Sequence, residues 1–422
     1  MLIPENLLIG KKVLLGVSGS IAVYKALELT RLFIKAGAEV KVVMTPSAQK
    51  FVAPLSFETL SRNLVLTEDS ESWSNDNNHI KVGHWADMMV IAPCTVNTIG
   101  KLSNAIADNL LLQAAIAFDG PKILAPSANT NMINNPIAQG ALKMLKVSGY
   151  DIVDTQTKDL ACQTTGDGAM AEPEDIFFAS ARSLLKEPFW DSRMVIVTGG
   201  GTIEKIDDVR YLSNFSSGKM ASALATALFL KGADVNLIAT RKDADLPSHI
   251  HTIDVESASE MQEYLVDSIR IAKKGKMSKP SLMHGDALEL IQKTPYLFMA
   301  AAVSDYLPAF EQQGKLKKEM LGDSWAIELK QNNDILSTID KTGIKTIAFK
   351  AEMDEATALH NAGSLIDKKS VDAVCLNLLK DSSSFGTEDN QIEFITPSGV
   401  TSLPKSDKLT LSLAVITKAQ AL

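Results

Sequence analysis

Apolar residues fall in short runs separated by longer stretches of helical spacing. From Lys12 the chain runs KKVLLGVSGSIAVYKALELTRLFIKAGAEVKVVMT. VLLGV predicts a strand and SGS a turn. Ile21 to Lys35 repeats apolar residues every three or four positions, Gly37 closes that helix, and VKVVM predicts a second strand. The same order returns near Arg193, as MVIVTGGGT, RYLSNFSSGK, the helix MASALATALFLKG and the strand DVNLI. Strand, turn, helix and strand at this spacing make a βαβ unit, hence a parallel sheet covered by helices. Two such openings predict an α/β protein of two Rossmann-like domains with mainly parallel sheets, residues 1–188 and 189–422. The linker is expected within SLLKEPFWDS, Ser183 to Ser192, where Pro188 interrupts a helix.

Neither opening carries G-x-G-x-x-G, the pattern that seats a dinucleotide pyrophosphate on a helix. The first has Gly16 and Gly19 with Ser18 and Ser20. Such a turn suits a single phosphate held by backbone N–H groups and hydroxyls, and equally suits a plain strand-to-helix turn. In the second, RYLSNFSSGKM lacks the phosphate-loop pattern, because Met220 follows the lysine and Ser213 stands where the first glycine belongs. Ser216, Ser217 and Gly218 at a helix start could still cradle an anion.

Other segments put polar residues at the C-terminal ends of predicted strands, where ligands bind in open α/β sheets. MMVIAP is followed by the polar loop CTVNT, and KILAP by Ser127, Asn129, Thr130 and Asn131. TPYLFMAAAVSDYLP holds a strand ending at Ala300, Ala301 and Ala302, with Asp305 beyond it; KLKK, Lys315 to Lys318, follows. Asn78-His79-Ile80 precedes the first of these strands, and LACQTTGDGAMAEP places Cys162 in a glycine-bearing loop. Cys375 belongs to an apolar strand; Cys94 is expected to line a loop without a chemical role.

Bulk properties narrow the class. A chain of 422 residues exceeds one ordinary core. A net charge of −8 disfavours nucleic acid as the partner. No apolar run reaches membrane-spanning length, and MLIPENLLIGKK lacks the marks of a signal peptide. Three widely spaced cysteines suggest free thiols in a reducing compartment, so a cytoplasmic protein is expected.

Taken together, SGSIAVYKALEL, HIKVGHWAD, APCTVNT, PSANTNM and LACQTTGDGAM resemble the flavin-dependent cysteine decarboxylases, in particular those acting on phosphopantothenoylcysteine. RYLSNFSSGKM resembles the phosphopantothenate–cysteine ligases fused behind them in most bacteria. The resemblance implies FMN held by Ser18, Gly19 and Ser20 around its phosphate, with Ser47, Thr95 and Asn97 as further contacts. It makes His79 the active-site histidine, Asn129 the grip on the substrate carboxylate, and Cys162 the cysteine of a substrate flap. The chemistry is consistent: losing CO₂ from a cysteine carboxylate requires an electron sink, which a flavin supplies, and an acid such as Cys162 to return a proton.

In the second half the resemblance implies CTP and 4′-phosphopantothenate as substrates. Arg210 and Asn214 would handle an acyl-cytidylate, with Ala301 against it. Asp305, Asn332, Asn333, Asp334, Ile335 and Phe349 would contact the nucleotide, while Lys315 and Lys369 counter phosphate charge. Carboxylate attack on a polyanion joins like charges, so Mg²⁺ is expected, its ligands unassigned. The resemblance also implies a homo-oligomer: trimeric contacts around shared FMN sites in the first domain, and dimeric contacts in the second.

The chain departs from these families in places. Ala128 replaces a usual Met, and Gln163, Thr164 and Ala169 replace the flap's Gly-Asp and Arg. Ala221 stands for Gly and Leu365 for a lysine, and residues 271–290 look like an insertion whose first half is a surface loop. The missing G-x-G-x-x-G disfavours a nicotinamide reductase. His79, Asn129 and Cys162 together favour an enzyme over a flavin-binding regulator, and the altered flap leaves open a weakened decarboxylase beside an active ligase.

Overall fold

The computed structural model describes residues 3–75, 77–159, 165–278, 288–317, 324–379 and 386–422. It divides into two compact units, one formed by Ile3–Leu185 and the other by Lys186–Met277 and Leu290–Leu422.

In the first unit β1 (Lys12–Val17), β2 (Glu39–Met44), β3 (Met88–Thr95), β4 (Lys122–Ser127) and β5 (Tyr150–Ile152) form one parallel sheet in the order β2-β1-β3-β4-β5. β3 reads as a near-continuous apolar run because both its faces are covered. The first helix spans Val23–Lys35, two residues later than the pattern predicts, and buries Val23, Ala26, Leu29 and Phe33 on one stripe. Gly37 closes it at φ +89. β6 (Gln156–Asp159) and β7 (Thr165–Ala169) form a separate antiparallel ribbon. Thr165–Ala169, expected as loop, is therefore strand. Cys162 itself, with Gln163 and Thr164, lies outside the described residues.

The second unit is built on β8 (Met194–Gly199). β9 (Ile203–Lys205) and β10 (Tyr211–Ser213) make a ribbon beside it. β11 (Asp234–Ala239) and β12 (His251–Asp254) extend the main sheet on one side. β13 (Lys276–Met277) and β14 (Leu290–Ile291) pair outside that sheet. The expected insertion thus begins within the helix Ala258–Lys274 and includes these two paired strands, so its first residues are not a surface loop; residues 279–287 lie outside the described residues. β15 (Tyr296–Met299) returns to the sheet, and β16 (Tyr306–Pro308) and β17 (Leu329–Gln331) form a further ribbon. β18 (Lys345–Glu352), β19 (Ala373–Leu378), β20 (Asp389–Thr396) and β21 (Gly399–Asp407) complete the order β12-β11-β8-β15-β18-β19-β20-β21. Only the pairs made by β20 are antiparallel.

Both sheets are doubly wound, as the two βαβ openings predict. In each, the chain leaves its first strand in one direction and later resumes on the other side. Crevices open at those switch points, between β1 and β3 and between β8 and β15.

Details of packing correct the sequence reading. The expected linker segment is tightly packed at its end: Trp190 is fully enclosed, its ring 5.0 Å from Tyr296 and 4.9 Å from Phe189. Cys94 does not line a loop but is a buried residue of β3, and burial pushes its thiol pKa up, as it does for Cys375. The CTVNT loop is instead a helix start, with Thr95 capping the helix Val96–Ser103. Two departures find reasons: a β-carbon on Gly199 would come 2.5 Å from that of Ala221, so a glycine in β8 makes room for the alanine. Leu365 packs on the apolar cluster of Ala358, Ala362 and Val374.

Candidate active sites

At the first switch point a cavity of about 760 Å³ is lined by Ser18, Gly19 and Ser20 after β1, Ser47 after β2, Thr95 and Asn97 after β3, and Asn129 after β4. Residues far apart in sequence meet because parallel strands deliver all their C-terminal ends to one edge. The size suits a drug- or cofactor-sized ligand, for which pockets run about 300–1,000 Å³.

Its residues divide into those committed to the fold and those turned to the cavity. Ser18 is committed. Its N–H and hydroxyl both donate to the Pro93 carbonyl, at 3.2 and 2.8 Å, and its oxygen accepts from the Thr95 N–H at 3.0 Å. Thr95 in turn accepts from the Thr98 N–H. Ser18 therefore braces β1 against β3 and has no donor left for a phosphate. Ser20 meets the Ser127 hydroxyl at 2.9 Å. Ser47 and Asn97 are exposed and make no side-chain hydrogen bond to described residues. Gly19 is required sterically: a β-carbon there would lie 2.6 Å from that of Ser47.

The ribbon after the flap closes one wall. Ala128 N–H donates to Gly168 O at 3.0 Å, and a β-carbon on Gly168 would lie 1.9 Å from Ala128 O. Ala169, where an arginine is usual, lines the cavity without charge. The cations that do line it are already paired: Lys101 with Asp108 at 2.6 Å, and Lys25 with Met170 O at 2.8 Å and Glu172 at 3.2 Å. The sequence reading missed both lysines; the available signal was Lys25 on the inward face of an apolar helix stripe.

His79 does not line this cavity. It begins the helix His79–Trp85, capped by Asn78, and its Nδ1 lies 3.0 Å from Glu71.

At the second switch point a smaller cavity, about 190 Å³, is lined by Ser216, Ser217 and Gly218 at the helix start, Ala300–Ala302 after β15, and Phe349 and Lys350 on β18. Of the expected nucleotide contacts, Ala301 and Phe349 lie here. Asn214 donates to Val303 O at 3.2 Å, and Asn332 donates to Ser304 O at 2.9 Å and, through its N–H, to Asp305 O at 2.7 Å. The segment 300–305 thus runs from the cavity lining to the contacts with Asn332. Asp334 caps the short helix Ile335–Thr338 and pairs with Lys369. Ile335 is core, packed among Leu265, Ile269 and Leu297 rather than turned to a ligand. Lys408, unforeseen from sequence, lines the cavity, and burial lowers its pKa despite Glu388.

Arg210 is engaged by Asp207, its Nε donating at 3.0 Å, while its ring partner is Trp325 at 4.5 Å. Asp207 is buried and also accepts the N–H groups of Val209, Arg210 and Leu316. The side-chain bond from Arg210, with those backbone donors, holds its pKa well below the usual carboxylate range. Lys315 is exposed beside Leu316, in the connection between β16 and β17 rather than after a βα loop; Lys318 lies outside the described residues. Among the described residues no group of three or more His, Cys, Asp or Glu could hold a metal, and no helix is long and apolar enough to cross a membrane.

Residues 3–185 match the flavoprotein family, and residues 190–278 and 276–422 match the DNA/pantothenate metabolism flavoprotein C-terminal domain. A coenzyme A biosynthesis bifunctional protein CoaBC of Bacillus subtilis (strain 168) is 34% identical over 420 residues, covering 98% of this chain and 97% of that protein. Its counterpart from Haemophilus influenzae is 32% identical, covering 96% of each. A solved PPC decarboxylase mutant complexed with pantothenoylaminoethenethiol is 37% identical over 40% of this chain and 96% of its own, with a TM-score of 0.38. With a flavoprotein unit ahead of a pantothenate-metabolism unit and likeness along nearly its whole length, the chain belongs to the bifunctional coenzyme A biosynthesis family CoaBC, whose members join a decarboxylase to a ligase.

Proposed function

We propose that the second unit couples cysteine to 4′-phosphopantothenate at the expense of CTP, and that the first unit decarboxylates the product to 4′-phosphopantetheine with FMN. The observation that carries the first half is the cavity at the β1/β3 switch point, where a glycine that cannot bear a β-carbon and the exposed Ser47 and Asn97 face one space. These residues fit a flavin mononucleotide: the Gly19 and Ser20 backbone, Ser47 and Asn97 would hold its phosphate, with Ser18 bracing Thr95. When bound, FMN supplies the electron sink that loss of CO₂ requires. Asn129 orients the substrate carboxylate, and Cys162 returns a proton to carbon. His79 stands outside its own protomer's cavity, which favours a trimer in which a neighbouring copy supplies it.

In the second unit the carboxylate of 4′-phosphopantothenate attacks the α-phosphorus of CTP and pyrophosphate leaves; the cysteine amine then attacks the acyl carbon and CMP leaves. A cavity of about 190 Å³ holds only part of a nucleotide, so the remainder would extend past it toward Asp305, Asn332 and Asn333. Asn214 is tied to Val303, just beyond the cavity-lining Ala300–Ala302. Lys315 and Lys369 counter phosphate charge, and Arg210 acts mainly by fixing the segment that carries Lys315. Mg²⁺ would arrive on the triphosphate, and no step is assigned to it. The enzyme would be a cytoplasmic homo-oligomer, with dimeric contacts in this unit.

The test is product release from the purified protein. CTP, cysteine and 4′-phosphopantothenate should yield pyrophosphate and then CO₂, and ATP should not replace CTP. His79→Asn should stop CO₂ release and spare pyrophosphate release, with Asn214→Asp doing the reverse when ready-made phosphopantothenoylcysteine is supplied. Equal effects of both substitutions on both activities would refute the two-site reading.

A further inference from the structure

His79 is held from three sides. Asn78 caps its helix, accepting the Ile80 and Lys81 N–H groups at 3.1 and 3.0 Å. The Trp73 ring meets the imidazole edge-on at 5.6 Å and 89°. Glu71 places a carboxylate oxygen 3.0 Å from Nδ1.

The segment carrying Glu71 is itself pinned. Glu71 N–H donates to Thr67 O at 3.0 Å, and Ser72 and Asn77 exchange N–H···O bonds of 2.8 and 3.1 Å. Asn77 also donates from its side chain to Ser70 O at 2.9 Å. A surface ion pair is ordinarily worth little and needs no such support. Here both side chains are largely shielded, 21% and 25% exposed, and the partner is a fixed carboxylate rather than a swinging one.

We infer that Glu71 is the positioning residue of His79. Its carboxylate accepts the Nδ1 proton, fixing the neutral tautomer in which Nε2 carries the lone pair and points away from Glu71. When Nε2 takes up a proton, the same carboxylate opposes the new charge on the imidazolium, as carboxylates do behind other working histidines. The inference rests on the reading that His79 serves the decarboxylation. Nothing in the sequence suggested it, because Glu71 lies in a polar stretch, TEDSESWSNDNN, with no periodicity.

The experiment uses the full-length protein with Glu71→Ala, Glu71→Asp and His79→Asn. With [¹⁵N]histidine labelling, solid-state spectra of the neutral imidazole identify the His79 signal by its loss in His79→Asn. The proton should sit on Nδ1 in the parent, move substantially to Nε2 in Glu71→Ala, and return in part in Glu71→Asp. For CO₂ release from phosphopantothenoylcysteine, Glu71→Ala should lower kcat by about 10-fold or more, the low end for losing a carboxylate that orients a histidine. KM should stay within about twofold, since Glu71 acts through His79 rather than on the substrate, and pyrophosphate release should be unchanged.

An unchanged tautomer or an unchanged kcat in Glu71→Ala overturns the inference. Equal losses of flavin content and of both activities would mark Glu71 as merely structural and overturn it as well. If His79→Asn itself releases CO₂ at the parental rate, the underlying reading of His79 falls first, a distinguishable failure.

Discussion

Replacing Ser18 with alanine separates a bracing serine from a ligand-binding one. The hydroxyl accepts from Thr95 N–H at 3.0 Å and donates to Pro93 O at 2.8 Å, at a residue 2% exposed. Pro93 O keeps the Ser18 N–H, so the acceptor stays satisfied. Thr95 N–H loses its partner where β3 gives way to a helix. A buried donor left unpaired costs about 1–3 kcal/mol; the Thr95 N–H is part-buried at the cavity edge, so Ser18→Ala should destabilise the first unit by the low end, roughly 1 kcal/mol. For a unit of this size that corresponds to a fall of about 2–4 °C in the unfolding midpoint. Calorimetry of the flavin-free protein reads this shift. Ser47→Ala is the control: Ser47 is exposed without a side-chain bond to described residues, so stability should hold while FMN affinity drops. A midpoint shift under about 1 °C in Ser18→Ala, or the same shift in both variants, would refute this division of labour.

Trp190→Ala should cost the second unit about 3–5 kcal/mol, because the indole is fully enclosed beside Tyr296; a shift too small to detect by calorimetry would contradict that packing. Asp207 has a folded-state pKa below its unfolded value, so its stabilisation is complete above the unfolded pKa of about 3.9 and fades as pH falls through and below it. Asp207→Asn should therefore flatten the acid limb of the second unit's stability curve, measured by urea titration from neutral pH downward, while an identical acid limb would contradict the assignment. Of the three cysteines, Cys94 and Cys375 are buried, so native protein should give at most one thiol equivalent to Ellman's reagent and three after unfolding. Two rapid equivalents in the native state would show that one of those strands is open.

Local pattern determined the units of this protein. Apolar runs with period breaks at Gly37 and near Lys231 were enough to place strands and covering helices, because a buried parallel strand must be apolar on both faces and a covering helix on one. The segments after β1, β3 and β4 could be marked as ligand-facing for the same reason: strand C-termini in such sheets meet at one edge. Tertiary structure alone decided which polar residues serve the fold and which face the cavity. Ser18 and Ser47 look alike in sequence, yet one is spent on Pro93 and Thr95 and the other is exposed. Ile335 went to the core, Arg210 to Asp207, and His79 to a carboxylate in an unpatterned segment. A hydrogen-bond partner is set by proximity in space, and the sheet brings together residues such as Ser18 and Pro93 whose separation along the chain carries no periodic signal.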